Sequence, residues 1–280
     1  MTSGPVPGAA PLGRTLMAGT VSVVIGGSAG IGLAAAWTLA RHGSAVELAA
    51  IDPPGVDRAA AQMQAAGHEA RGTVLDVADP GQMASFMAGV ADRHGRLSVL
   101  VNSAGIQRYG TVETTPVSVW DEVLDVNVRG MFLAAGQAVP LMRRSGGGAI
   151  VNVASAQATA TQRNVVAYTA SKGAIVAMTR AMAVDHAPDG IRVNSVSPGS
   201  VDTPMLRAAA RDVSAEDPDS VIAQWGSLHP LGRVGAPAEI ADVILFLASP
   251  LSSFVTGADL RADGGVLAGV ALPAPAITDT

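Results

Sequence analysis

Short apolar runs alternate along this chain with longer, helix-like stretches. The runs Val21–Ile25, Ala45–Ile51, Glu69–Leu75, Leu97–Val101, Ala149–Val153, Ile191–Val196 and Asp259–Ala262 predict strands. Between them, Gly30–Arg41, Asp57–Ala66, Pro80–Arg93, Val117–Val126, Gly130–Arg144, Tyr168–His186 and Pro237–Leu247 predict helices. Strands alternating with helices of this length need crossover connections, which implies a parallel sheet covered on both faces. The expectation is one α/β domain over residues 16–270, a doubly wound parallel sheet of about seven strands. Residues 1–15 and 271–280 read as flexible tails, and no internal repeat interrupts the domain.

One segment resists assignment. Thr203 to Arg233 holds Pro204, Pro218, Pro230, a patch of charges and Trp225, and reads as a long irregular insert. After the sixth strand it lies at the carboxyl edge of the sheet, where ligands bind, so it is expected to act as a substrate lid rather than a bare surface loop.

Composition narrows the classes. Hydrophobic residues make up 49% and charged residues 15%, which supports a large core and excludes disorder for the body. With aromatics at 3%, that core must be packed with Ala, Val, Ile, Leu and Met. A net charge of −5 argues against nucleic acid or an anionic membrane as partner. No apolar run reaches spanning length, the N-terminus lacks a signal-peptide pattern, and cysteine is absent. A soluble, cytoplasmic protein is expected. The five histidines show no pairing at ligand spacing, so no metal site is indicated.

The sharpest chemical signal is Tyr168 and Lys172. All but one of the 18 basic residues are arginine; the exception is Lys172. On a helix, positions i and i+4 share a face, which sets the phenol beside the ammonium. A neighbouring cation favours phenolate and is expected to lower the tyrosine pKa toward neutrality, making Tyr168 a general acid/base. At the other end of the chain, the first strand runs into Gly26-Gly27-Ser28-Ala29-Gly30-Ile31-Gly32, which opens a helix. Glycines there allow backbone N–H groups to approach a pyrophosphate at the positive end of the helix dipole. Asp76-Val77 and Asn102-Ser103-Ala104-Gly105 end the third and fourth strands, at the edge where an adenine ring would rest, though each alone also suits a turn. Ser155 follows the fifth strand, and Asn127 sits inside a helical stretch, where it marks either a kink or a function.

In order and spacing, these landmarks, with Pro198-Gly199 and Thr203, resemble the short-chain dehydrogenase/reductase family over about Leu16 to Val270. The resemblance implies a Rossmann-type fold and an oxidoreductase that moves a hydride between a nicotinamide cofactor and a secondary alcohol or carbonyl. It implies Tyr168 as acid/base, Ser155 as the hydrogen bond to the substrate oxygen, Lys172 as ribose ligand and pKa-lowering charge, and Asn127 as support for a proton relay. Gly26, Ser28, Ala29, Gly30, Ile31, Gly32, Asp76, Val77, Asn102, Ala104 and Gly105 would hold the cofactor, and Pro198, Gly199, Val201 and Thr203 would flank its nicotinamide. A homotetramer using helices 130–144 and 168–186 is implied as well, with Val266–Ile277 packing across an interface or fraying.

Three positions depart from the family pattern: Ile25 and Ser103 replace Thr and Asn, and Ala50 stands where NAD-dependent members carry an acid. Asp52, two residues on, reaches the ribose only if the turn bends back. Ala29 and Ile51 occupy the positions where NADP-dependent members carry cations, leaving Arg58 as the nearest. An unpaired phosphate is costly, so NAD is favoured over NADP. Gln157, Tyr109 and Trp225 are the expected substrate contacts, with Arg108 or Arg163 either surface residues or partners of a carboxylate. A sugar, polyol or small hydroxy compound is favoured. The competing readings are a non-catalytic NAD(P)-binding sensor, an NADPH-dependent reductase of an apolar ketone, and an epimerase or dehydratase retaining its cofactor.

Overall fold

In a computed structural model, residues 15–269 are described; both expected tails lie outside them, apart from Thr15, as does most of the Val266–Ile277 stretch. Seven parallel strands form a single sheet: β1 (Val21–Ile25), β2 (Ala45–Ala50), β3 (Ala70–Val74), β4 (Val99–Asn102), β5 (Gly148–Val153), β6 (Ile191–Pro198) and β7 (Asp259–Ala262), in the spatial order β3-β2-β1-β4-β5-β6-β7. Every residue of β1 and β4 is buried, which is why these strands carry no polar alternation. Strand order reverses between β1 and β4, where Ile25 pairs with Asn102, and this divergence opens a crevice at the carboxyl ends.

Helices cover both faces. On one side α1 (Gly30–Arg41), α2 (Pro53–Ala65) and α9 (Pro237–Ala248) pack Leu39, Met63 and Ile244 onto Leu48, Val101 and Val151. On the other, α3 (Pro80–His94) and α5 (Gly130–Arg144) pack Met83, Val90 and Met142 onto Leu100, Ile150 and Val193, with Ala183 of α6 (Val166–His186) joining the same cluster. Only one ring, Phe86, is among the buried core residues of these two layers. One acid is also buried here: Glu47 of β2 is 2% exposed and receives two hydrogen bonds from Arg93, at 2.8 and 2.9 Å, beside the His94 ring at 2.9 Å.

The element boundaries expected from sequence hold to within a few residues, with two informative exceptions. The stretch Val117–Val126 is not one uniform helix. Its α-helix, α4 (Val117–Leu124), passes into a π-helical turn over Asp125–Arg129, closed by the Gly130 N–H bonding to the Asp125 carbonyl. The 203–233 insert is not irregular. It folds as α7 (Pro204–Val213) and α8 (Pro218–Ser227), and Ala210, Val221 and Ile222 form a small core with Trp225 against it. Two of its three prolines start helices instead of breaking them. Pro204 and Pro218 occupy first-turn positions where no N–H is needed, behind Thr203 and Asp217, whose side chains accept from Leu206 N at 3.3 Å and Ser220 N at 3.0 Å.

Candidate active site

A cleft of about 1300 Å³ runs across the carboxyl edge of the sheet, from the loop after β1 to the inner side of α7 and α8. Its first wall is the glycine turn. Gly26 takes φ +79 and its N–H bonds the Ala49 carbonyl at 2.7 Å. A Cβ at Gly26 would strike the Ala104 backbone, and one at Gly32 would strike the Gly26 carbonyl. These glycines therefore let the β1–α1 turn and the loop after β4 close against each other. Gly30, at φ +53, faces the Thr203 methyl just before α7. Helix α1 has neither a side-chain cap nor an acid in its first turn, so its leading N–H groups and positive dipole end are left for an anion.

At the other end, β5 and α6 bring Ser155, Tyr168 and Lys172 together in the cleft. Ser155 follows β5 as the cap of a short 3-10 turn, its hydroxyl accepting from Gln157 N at 3.1 Å. Tyr168 and Lys172 are buried one helical turn apart, with Nζ 5.4 Å from the ring centroid. The ammonium donates to the Val153 carbonyl at 3.0 Å. The electrostatics correct one expectation. Tyr168 is not lowered; burial pushes its phenol up to about 12, with the Ser155 hydroxyl pulling weakly the other way. Burial also brings Lys172 down to about 8. Burial disfavours the charged form of each group.

Asn127 does not line the cleft but lies directly behind it. Fully buried in the π turn, its amide accepts from Ile106 N at 2.8 Å and donates to Ile106 O at 2.9 Å and Ser171 Oγ at 3.0 Å. Both hydrogens and the oxygen are thus engaged, which holds the loop after β4 in place. Gly105 sits against both Asn127 Oδ1 and Lys172 Nζ, which a Cβ there would meet at 3.3 and 3.6 Å. Asn102 is likewise set back: its Nδ2 donates to Asn152 Oδ1 at 2.9 Å, and Asn152 donates on to Thr179 at 2.9 Å, an amide ladder tying β4, β5 and α6. Gly32 is also behind the surface, as its steric role requires.

Of the remaining residues expected at the site, Ser28, Ala29, Ile31, Asp76, Val77, Ala104, Pro198, Gly199, Val201 and Thr203 all line the cleft, as do Gln157, Tyr109 and Trp225. Asp76 Oδ1 accepts from Ala78 N at 2.9 Å. Asp52 does not line it. It precedes Pro53 as the cap residue of α2, and its carboxylate occupies the space beside Gly55 that Ser28 of the glycine turn also borders. The first turn of α2 therefore packs against the glycine turn at Gly55. The Gln157 Oε1 atom is buried without a hydrogen-bond partner among the described residues. Tyr109, on the loop after β4, is held above the ordinary phenol range by partial burial and by the charge of Asp212 on α7. That loop is pinned in turn to the segment before α6 by Gly110 N to Asn164 O at 2.7 Å, with Asn164 at φ 61. Arg108 is engaged with Glu122 at 2.7 Å, while Arg163 is exposed at the rim.

Sequence reasoning overlooked several contributors. The Val153 carbonyl, Ser171 and Asp212 act through tertiary contacts that no local pattern announces. His229 is 5% exposed and lines the cleft.

A crossover turn built to admit an anion and a Ser–Tyr–Lys group on the same cleft define a class of nucleotide-dependent oxidoreductases. The chain belongs to the short-chain dehydrogenase/reductase family: residues 26–267 match the family model described as enoyl-(acyl carrier protein) reductase. Among curated proteins it is 38% identical to cis-4-hydroxycyclohexanecarboxylate dehydrogenase of Sinomonas cyclohexanicum, covering 89% of this chain and 96% of that one. It is also 38% identical to 2-(S)-hydroxypropyl-CoM dehydrogenase 3 of Xanthobacter autotrophicus, over 89% and 96%. Among solved structures, the ligand-free aldohexose dehydrogenase of Thermoplasma acidophilum superposes with a TM-score of 0.87 at 35% identity, covering 94% of this chain and all of that one. Family and relatives support oxidoreductase activity with a nicotinamide cofactor.

Proposed function

We propose that this protein is an NAD-dependent dehydrogenase/reductase interconverting a secondary alcohol and a carbonyl on a small hydroxy compound, a sugar, polyol or hydroxy acid. The observation that carries this reading is the convergence of Tyr168, Lys172 and Ser155 on the cleft whose far wall is the Gly26–Gly32 turn. The cleft fits a dinucleotide: two backbone approaches that any Cβ would block, and an uncapped helix N-terminus. Gly26, Ser28, Gly30 and Ile31 would hold the pyrophosphate, Asp76 and Val77 the adenine side, and Lys172 the nicotinamide ribose. When bound, the cofactor supplies the hydride acceptor or donor.

The protein's own part is orientation and proton transfer. Ser155 Oγ, fixed by Gln157 N–H, offers its hydrogen to the substrate oxygen and holds it beside the phenol. Tyr168, protonated at neutral pH in the free protein, is set to give that oxygen a proton in the reducing direction. In the oxidising direction it must lose the proton first, and the Lys172 ammonium one turn away favours that loss. Asn127, with its amide spent on Ile106 and Ser171, acts by fixing the backbone that borders Lys172. The free Gln157 oxygen is an acceptor for a second substrate hydroxyl, which supports the polar-substrate reading over an apolar ketone.

NAD is supported by what surrounds the β2 end of the cleft. The side chains there are Ala50, Ile51, Leu75, Asp76 and Val77, and the lining cations, Arg108, Arg163 and Lys172, belong to the loops beyond β4 and to α6. Among the described residues no cation lines that end to pair with a second phosphate, and Arg58 is exposed farther along α2. A homotetramer fits the outward faces of α5 and α6, where Phe132 and Val184 are 61% and 76% exposed and Gly173 has open space before it. Fluorescence titration with NADH and NADPH tests the cofactor. NADH should bind at least about tenfold tighter, and Asp52→Ala should narrow that gap. Equal or tighter NADPH binding would overturn the preference.

A further inference from the structure

We propose that His229 is a positioning residue that fixes the nicotinamide side of the cleft and ties it to the lid; this rests on the reading that the cleft takes a nicotinamide cofactor. The Ser200 N–H points at His229 Nε2 from 3.1 Å. An amide N–H can only donate, so Nε2 is the acceptor and the neutral ring carries its hydrogen on Nδ1. That hydrogen is donated to the Trp225 carbonyl, 3.0 Å away near the end of α8. One buried imidazole therefore bridges the strand-end segment 199–203 and the second lid helix, in a single tautomer chosen by two backbone groups.

The surroundings are shaped for this ring. Gly199 approaches so closely that a Cβ there would lie 2.8 Å from Nε2, and a Cβ at Gly264, after β7, would lie 3.3 Å from the imidazole carbons. Leu231 N bonds the Gly264 carbonyl at 3.2 Å, and Gly265 packs on Pro230, so the turn after His229 is seated on the loop after β7 as well. Asp263, next to Gly264, spends both its carboxylate oxygens on the backbone, accepting from Gly265 N–H at 2.9 Å and Leu267 N–H at 3.1 Å. A histidine merely filling space needs neither of its two directed bonds. Here both nitrogens are used, and one of them holds the backbone immediately between Gly199 and Val201.

Because His229 bonds Ser200, between Gly199 and Val201 on the side of the cleft assigned to the nicotinamide, loss of its anchor should loosen that half of the site more than the adenosine half. Isothermal titration with NADH and with ADP-ribose, which lacks the nicotinamide, separates the two. His229→Ala should weaken NADH by about tenfold and leave ADP-ribose within about twofold. His229→Gln restores an acceptor at the distance of Nε2 and should recover most of the NADH affinity; His229→Asn, which reaches only the Trp225 carbonyl, should not. The Gln and Asn pair decides the matter even if the alanine variant folds poorly. Equal weakening of both ligands, unchanged NADH binding, or rescue by Asn instead of Gln would overturn the proposal. Wild-type protein that binds neither ligand would overturn the nicotinamide reading, and this inference with it.

Discussion

Replacing Lys172 with methionine should make the protein more stable at neutral pH while abolishing its activity. Lys172 is 5% exposed, and its only hydrogen bond is to the Val153 carbonyl at 3.0 Å. Burial lowers its pKa from 10.5 to about 8. At about 1.4 kcal/mol per pH unit, that difference corresponds to roughly 3 kcal/mol of cost to the folded state at pH 7, where the ammonium is charged both folded and unfolded. Losing the Val153 bond returns about 1 kcal/mol, which leaves a net gain near 2 kcal/mol for the methionine. The direction with pH follows from proton counting. Between about 8 and 10.5 the unfolded chain holds the proton that the folded protein has released, so wild-type stability rises with pH across that window. The advantage of the variant should therefore shrink by about 2 kcal/mol between pH 7 and pH 9.5. Urea unfolding of both proteins at the two pH values measures this directly. A variant less stable than wild type at pH 7, or a gap that does not change with pH, would refute the buried-ammonium argument. An active-site lysine that costs stability is what a functional requirement leaves behind.

Lys172→Arg should fold and lose most turnover, because a planar fork cannot replace a compact ammonium between Val153 and Tyr168; near-wild-type kcat would remove that role. Tyr168→Phe should lower kcat by about 10²- to 10⁴-fold with cofactor affinity nearly unchanged, as steady-state kinetics and titration together would show. Gly32→Ala forces a Cβ onto the Gly26 carbonyl, so cofactor binding should weaken by about tenfold or more; wild-type binding would mean the turn is not the cradle described. Arg93→Ala strips the buried Glu47 carboxylate of two hydrogen bonds and should cost about 2 kcal/mol in urea unfolding, with catalysis untouched. A change below about 0.5 kcal/mol would show that His94 alone suffices.

Much of this molecule is legible in its sequence because the signals are local and strong. The inner strands read clearly because they are buried almost throughout, whereas the edge strands β3 and β7 carry Arg71 and Asp259 and are only partly buried; the Gly26–Gly32 turn falls between the first strand and a helix. Tyr168 and Lys172 share a helix face by spacing alone. The misreadings have physical causes. Pro204 and Pro218 look like breakers until Thr203 and Asp217 are recognised as caps that make them first-turn residues. The pKa of Tyr168 was expected to fall because its neighbour is visible in the sequence, whereas the burial that raises it is a property of the assembled cleft. The π turn at Asn127 depends on one additional residue per turn, to which hydrophobic periodicity is blind. His229 is joined to Ser200 and flanked by Gly199 and Gly264 only after β6, α8 and the loop after β7 have met.

The central claim is that Tyr168 moves the proton while a bound nicotinamide exchanges a hydride with an alcohol. The most direct test follows nicotinamide absorbance as wild type and Tyr168→Phe are offered NAD with a panel of hydroxy acids, diols and sugars. Wild type should reduce the cofactor with at least one member of the panel, and the phenylalanine variant should bind NAD equally well and stay silent. Reduction by the variant at a rate close to wild type would contradict the account.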